Sequence, residues 1–333
     1  MKIAIVKLSA LGDIIHAMVV LQFIKKYNQQ IEIDWIVDEA YKDLFNNHPD
    51  INKVHSIKLK QAKQSKSLFL FFKELSKVQK IGPYDLVIDM QGLIKSAVIS
   101  RLINSQVTLG FDQSSTREGI ASIFYNKFFK YGYSENIIER NLALIAFALG
   151  LNISKHEIQN KIPFLYSSQK YRNNNISNSK QNIVLIPGAS HKSKCYPIVY
   201  LAKLTTLIEA NYFIIWGNSD EKIMADEIKA QAPNVNVCQK LSIDLLKSLI
   251  SQVDLVIGPD TGPTHMAWAL GVASITLFGP TPGYRNTYVT KINRVIESKS
   301  KVNPLKIDKN DFSIQDINVQ DVLIVSKELL NRS

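Results

Sequence analysis

Four short stretches combine residue types that can do chemistry. The first is Ser9-Ala10-Leu11-Gly12-Asp13, directly after the apolar run IAIV. Gly12 permits a tight turn or a close backbone approach to a ligand. Asp13 then stands at the start of a helix, where the dipole favours an ionised carboxylate. Such a group can take a proton from a hydroxyl nucleophile; it can equally serve as a helix cap. The second stretch is 187–194, PGASHKSK, where small residues, hydroxyls and two lysines beside a helix start suit a phosphate. A solvated basic loop is the plainer alternative. The third, Trp216-Gly217-Asn218-Ser219-Asp220-Glu221, puts a carboxylate where ribose hydroxyls can donate to it, or merely caps the next helix. The fourth, Gly258-Pro259-Asp260-Thr261-Gly262-Pro263-Thr264-His265, closes a strand and opens a helix. Amides at that start, with the Thr261 hydroxyl, suit a diphosphate or sugar oxygens. Asp260 can accept from sugar hydroxyls, and His265 alone reads as structural. The turn Gly279-Pro280-Thr281-Pro282 follows the next strand and can help close the pocket.

Several chemistries lack their usual residues. No G-x-G-x-x-G follows the first strand, and no Walker motif occurs, so dinucleotide oxidoreduction and P-loop hydrolysis are not indicated. The six histidines show no zinc-site spacing, and no Asp-x-Asp is present to cradle a metal–diphosphate complex. A departing diphosphate would therefore be neutralised by lysine and backbone amides. No metal and no cofactor are expected.

The elements that must position these loops alternate. Apolar runs Ile3–Leu8, Ile31–Val37 and Leu86–Met90 precede helix-spaced stretches such as 14–26 and 93–103, and 135–149 forms another helix stopped by Gly150. The polar, Asn/Ser-rich segment 167–182 cannot bury enough apolar surface to be a core element. Alternation restarts at Ile183, with strands at 183–186, 213–216, 235–237, 255–257 and 275–278 and helices between them. The tail from about Ile314 to Leu330 reads as one more helix. Such alternation means parallel sheets flanked by helices, and 333 residues exceed one ordinary core. The expected fold class is α/β: two Rossmann-like domains facing across a cleft, at 1–166 and 183–312. Residues 167–182 are the linker, and the 313–333 helix has the first domain as a candidate packing partner.

The chain carries a formal charge of +11, which points to an anionic partner. Residues 53–80 hold eight lysines and one acid around Leu68-Phe69-Leu70-Phe71-Phe72. That pattern suits an anionic membrane surface or a phosphorylated lipid; a solvated loop and a helix with core phenylalanines is the alternative. No nucleic-acid motif appears, so no nucleic acid is expected. Two separated cysteines, no leader pattern and no long apolar span predict a cytoplasmic protein that meets membranes peripherally.

Taken in order, IVKLSALGDIIHA, DWIVDEA, DMQGLIKSA, PGASHKSKCYP, WGNSDE and GPDTGPTHMAWALG resemble the bacterial lipopolysaccharide heptosyltransferases over nearly the whole chain. The likeness is greatest to members that add the first heptose to the inner core; one that acts on an already heptosylated acceptor is the alternative. A non-catalytic nucleotide- or lipid-surface-binding protein on the same scaffold is the second alternative. The resemblance implies the GT-B glycosyltransferase architecture and metal-free, inverting transfer from ADP-heptose to the Kdo of Kdo2-lipid A at the cytoplasmic face of the inner membrane. It implies that Asp13 is the general base, beside a turn of Ser9, Ala10 and Gly12, and that Lys194 holds the donor phosphate. Ser190, Glu221, Asp260, Thr261, Gly262 and His265 are implied to bind the donor. Lys58, Lys60, Lys63, Gln91, Lys95 and Arg117 are implied to meet the phosphorylated acceptor. Ala189 stands where the family often has a second hydroxyl, and Cys195-Tyr196 replaces a more usual His-Trp or Arg-Trp pair.

Overall fold

Strand β1 (Lys2–Val6) is apolar at four consecutive positions because both its faces are covered, the signature of a parallel sheet. In the computed structural model, which describes residues 1–65, 67–172 and 175–331 and only the backbone of Lys63, Leu68 and Phe71, it is a central strand. The chain divides into two units, Met1–Phe164 and Leu165–Ser333.

In the first unit β1 leads to α1 (Leu11–Met18) and α2 (Val20–Tyr27), then β2 (Glu32–Asp38) and β3 (Lys53–Ile57). Helices α3 (Leu59–Gln64) and α4 (Leu68–Val78) precede β4 (Tyr84–Asp89), α5 (Ile94–Leu102), β5 (Ser105–Phe111) and β6 (Lys127–Phe129). Helices α6 (Ile137–Leu149) and α7 (Lys155–Gln159) complete it, α6 ending where Gly150 adopts the left-handed conformation that a side chain disfavours. All strands are parallel, in the order β3-β2-β1-β4-β5-β6. The order reverses between β1 and β4, and the carboxyl ends of those two strands make the crevice where ligands bind in such sheets.

The second unit repeats the plan. Its strands are β7 (Asn182–Leu185), β8 (Asn211–Ile214), β9 (Asn236–Val237), β10 (Leu255–Pro259), β11 (Ala273–Phe278) and β12 (Asn293–Glu297), parallel in the order β12-β11-β10-β7-β8-β9. Helices α8 (Ile198–Leu207), α9 (Ser219–Gln231), α10 (Ile243–Ile250), α11 (Gly262–Leu270) and the short α12 (Gly283–Asn286) connect them. Here the order reverses between β7 and β10.

Two further segments pack onto the second unit. The described part of 167–182 is tied down: Ser168 Oγ donates to Asp244 Oδ2 and the Tyr171 amide to Ser248 Oγ at 2.8 Å, both on α10. The C-terminal helix α13 (Val319–Leu330), for which the first domain was a candidate partner, contributes Val319, Val322, Leu323, Leu329 and Leu330 to the second unit's core.

Two polar clusters brace the first unit. Arg140 on α6 is buried; its guanidinium donates to the carbonyls of Tyr131, Gly132 and Ser115 and lies 4.3 Å from the Phe111 ring centroid. Asp34, near the amino end of β2, is 1% exposed and accepts from Tyr84 Oη, from Asn52 Nδ2 at 3.1 Å and bonds His55 Nε2 at 3.2 Å. Burial raises the Asp34 pKa, but these bonds and the Lys2 charge outweigh it and the net shift is downward. A lowered carboxylate stabilises the fold above the unfolded value of about 3.9 and loses that effect as pH falls through the folded one. Asp34→Asn should therefore lower the free energy of unfolding at pH 7 by an amount on the order of 1–3 kcal/mol. The gap to wild type should narrow as pH drops below about 3.9; a gap unchanged to pH 2 would refute this.

Candidate active site

The first unit's switch point carries Ser9 after β1 and Gln91 after β4, and the two are bonded. Gln91 Oε1 accepts from the Leu8 and Ser9 amides at 2.7 and 3.3 Å, and its Nε2 donates to Ser9 Oγ at 3.3 Å. Lys95 Nζ, from the first turn of α5, donates to the same hydroxyl at 3.2 Å. Beneath them Asp89 is fully buried and accepts from the Gln91 and Gly92 amides at 2.8 and 3.1 Å and from Tyr125 Oη at 2.8 Å. Burial pushes the Asp89 pKa upward despite those bonds. Lys7 is buried alongside, donating from Nζ to the Met90 carbonyl at 3.0 Å.

Asp13 is the third residue of α1 and is exposed. Its Oδ2 accepts from the Ala10 amide at 3.2 Å, which is half of a capping arrangement. The cap and the base are thus compatible: one oxygen anchors the turn, and the carboxylate still faces solvent. Gly12 and Ala10 build that turn, whose Ser9–Ala10 peptide is cis. Tyr41 follows β2 on the same side. Its phenol pKa is raised, first by burial and then by the charges of Asp38 and Asp13, so it stands close enough to feel the exposed carboxylate.

The remaining acceptor-side residues divide. Arg117 is exposed on a loop pressed onto the start of α5. Thr116 Cγ2 lies 3.1 Å from where a Cβ at Gly92 would be, and Glu118 Oε2 accepts from the Ile94 amide at 2.8 Å. Lys58 and Lys60 follow β3; their backbone amides donate to Glu74 Oε2 and Asp38 Oδ2, both at 3.0 Å, while their side chains are exposed. They therefore share the carboxyl end of the sheet with Ser9, two strands away, without joining the Gln91 cluster. The side chain of Lys63 lies outside the described residues.

In the second unit the switch point joins Lys194 and Asp260. Lys194, in a 3-10 turn before α8, is 8% exposed and pairs with Asp260 Oδ2 at 2.8 Å. His265 Nε2 bonds the other oxygen at 3.0 Å, and Thr281 Oγ1 and Asn286 Nδ2 donate to Oδ2 at 2.9 and 3.3 Å. Burial opposes ionisation of Asp260, but Lys194 and His265 outweigh it and hold the carboxyl well below the usual range. Asp260 was expected to accept from sugar hydroxyls; within the protein Oδ1 bonds His265 and Oδ2 is paired with Lys194. Thr261 stands at the start of α11 without a capping bond from its side chain, Gly262 begins the helix, and Thr264 Oγ1 donates to the Pro259 carbonyl at 2.8 Å, closing the turn. Ser190 is exposed on the loop after β7.

Glu221, near the start of α9, reaches that same loop. Its Oε2 accepts from the Gly217 amide at 2.6 Å, and a Cβ at Gly188 would lie 2.2 Å from its Cγ. Gly188 is needed for space. Given the donor role that the resemblance implies for Glu221, Gly188→Ala should displace it and weaken ADP binding about tenfold, the equivalent of one charged hydrogen bond, with little loss of fold stability. Calorimetry with ADP checks this, and an unchanged affinity would remove Glu221 from the donor site.

The sequence reading missed Tyr41, Lys7 and Asn286. Thr281 was visible only as part of a Gly-Pro turn, and Asn286 had no local signal.

Residues 71–310 match the family model described as glycosyltransferase family 9 (heptosyltransferase). The chain is 39% identical to lipopolysaccharide heptosyltransferase 1 of Campylobacter coli over 344 residues, covering 99% of both proteins. It is 28% identical to the protein of that name from Pseudomonas aeruginosa, covering 86% of this chain and 81% of the relative. Among solved structures, E. coli heptosyltransferase WaaC with ADP superposes with a TM-score of 0.80 at 23% identity, over 99% of this chain and 100% of that one, and so shares the GT-B fold. The chain belongs to glycosyltransferase family 9, the heptosyltransferases.

Proposed function

We propose that this protein is the lipopolysaccharide heptosyltransferase that moves heptose from ADP-heptose to the Kdo of Kdo2-lipid A, with inversion and without a metal. The observation that carries the reading is the pair of switch points. One offers an exposed carboxylate, Asp13, and the other a buried, oriented ammonium, Lys194. Asp13 takes the proton from the attacking Kdo hydroxyl, whose oxygen forms the new bond to the anomeric carbon as the bond to ADP breaks on the opposite face. Lys194, the amides at the start of α11 and the Ser190 hydroxyl stabilise the charge that develops on the diphosphate. Glu221 accepts from the ribose. Ser9, Gln91, Lys95 and Arg117 hold the acceptor, Lys95 and Arg117 answering its phosphates.

The protein works at the anionic cytoplasmic face of the inner membrane. Lys58, Lys60, Lys73, Lys77 and Lys80 are exposed, and such side chains contribute about 1 kcal/mol each near an anionic surface. Phe69 and Phe72 are 75% and 64% exposed, so they are not the core residues that the plainer reading of this segment required. Among the described residues no helix is long and apolar enough to cross a membrane.

The deciding assay is transfer from ADP-heptose to Kdo2-lipid A in the presence of EDTA, read by mass spectrometry. Heptosylated product is expected. Product only when divalent cations are restored would overturn the metal-free step. Transfer only to an already heptosylated acceptor would reassign the substrate, and ADP binding without product would make this a binding protein.

A further inference from the structure

An apolar groove of about 610 Å³ opens on the first unit beside Lys95. Leu59 of α3 and Leu75 of α4 form one wall, and Ile94 and Val98 of α5 the other, with Lys95 and Glu118 as its polar members. Ile94 is 41% exposed at the mouth. Apolar lining in an open groove is an incomplete burial that hydrocarbon would finish.

The charge around the groove is mainly positive. Leu59 stands between the exposed Lys58 and Lys60, and Leu75 lies between Lys73 and Lys77, also exposed. The acid of this segment, Glu74, is turned inward, where the Lys58 amide and the Lys77 ammonium hold it. Glu118 is engaged by the Ile94 amide. An apolar floor with a cationic rim fits an amphiphile with an anionic head and a hydrocarbon tail. The groove is also continuous with the acceptor site, because the Lys95 that lines it donates to Ser9 Oγ at the switch point.

We propose that this groove takes one hydrocarbon chain of the lipid that carries the acceptor sugar, while the rim lysines meet the phosphates of its head. The inference rests on the reading that the acceptor is lipid-linked. It makes the enzyme select its acceptor partly by the tail, at a place removed from the bond being formed.

The test compares kcat/KM for the acylated acceptor with that for its fully deacylated sugar phosphate, both below the concentration at which the lipid aggregates. Val98→Trp fills the groove, and Ile94→Glu puts a charge at its mouth. Wild type should favour the acylated acceptor at least tenfold. Each variant should bring the ratio close to one, through KM for the acylated acceptor. If Val98→Trp does not fold, Ile94→Glu stands alone, since position 94 is already exposed. A ratio near one in wild type, or one unchanged in the variants, overturns the proposal. So does a ratio that survives both groove variants but disappears in Phe69→Ser/Phe72→Ser, which would assign the preference to the face of α4. Transfer to neither acceptor overturns the lipid-acceptor reading itself, and this inference with it.

Discussion

Asp13→Asn should turn over roughly 10²–10⁴ times more slowly than wild type, the range for loss of a general base. That is about 3–5 kcal/mol of transition-state stabilisation. Asn is a good probe because its side-chain oxygen can still accept from the Ala10 amide, which Asp13 does at 3.2 Å. The turn and the start of α1 should survive, and only the proton acceptor is lost. The proposed function places ADP on groups of the second unit, so its affinity should stay within about twofold, less than a weak hydrogen bond is worth. Stopped assays with saturating acceptor and calorimetry with ADP separate the two quantities. Full turnover in the Asn variant would leave Asp13 with a capping role alone.

Lys194→Ala and Asp260→Ala each remove one side of a buried ion pair, and each should cost about 3–5 kcal/mol of stability. At about 2–4 °C per kcal/mol for a unit of this size, the melting point falls on the order of 10 °C. The two variants diverge when ADP is added. In Asp260→Ala the ammonium is left without its carboxylate, and a bound diphosphate supplies the missing negative charge. The ADP-induced rise in melting point should then exceed that of wild type. In Lys194→Ala the diphosphate has lost its cation, so the rise should nearly vanish. Equal thermal shifts in both variants would show that Lys194 does not face the nucleotide. The contrast also tests whether Asp260 orients Lys194 or touches the sugar itself.

The central strands were legible because burial on both faces writes them as continuous apolar runs: IAIV in β1, LVI in β4, NIVL in β7. The strands that went unread are those whose composition is diluted by polar residues. β3 is KVHSI and β12 is NRVIE, each at a sheet edge with a half-solvated face; the internal β5 is SQVTLGF, and β6 is only three residues long. The site was legible loop by loop but not as an arrangement. Lys194 and Asp260 are 66 residues apart in the chain, and their pairing follows from β7 lying beside β10. Strand order is a property of the whole sheet, so no local spacing encodes it. The same holds for Glu221 nesting against Gly188, where the sequence shows two unrelated loops. Asn286 reaches Asp260 from a four-residue helix that carries no periodicity to detect.

Arg140 has a consequence for encounter. One guanidinium ties the carbonyl of Ser115, two residues before Arg117, to those of Tyr131 and Gly132. A loop held this way has already surrendered its conformational freedom during folding, where the cost of about 1–2 kcal/mol per residue is shared with the core. In the acceptor role proposed for Arg117, an arriving acceptor would meet it on fixed ground and keep the binding energy that a floppy segment would have consumed.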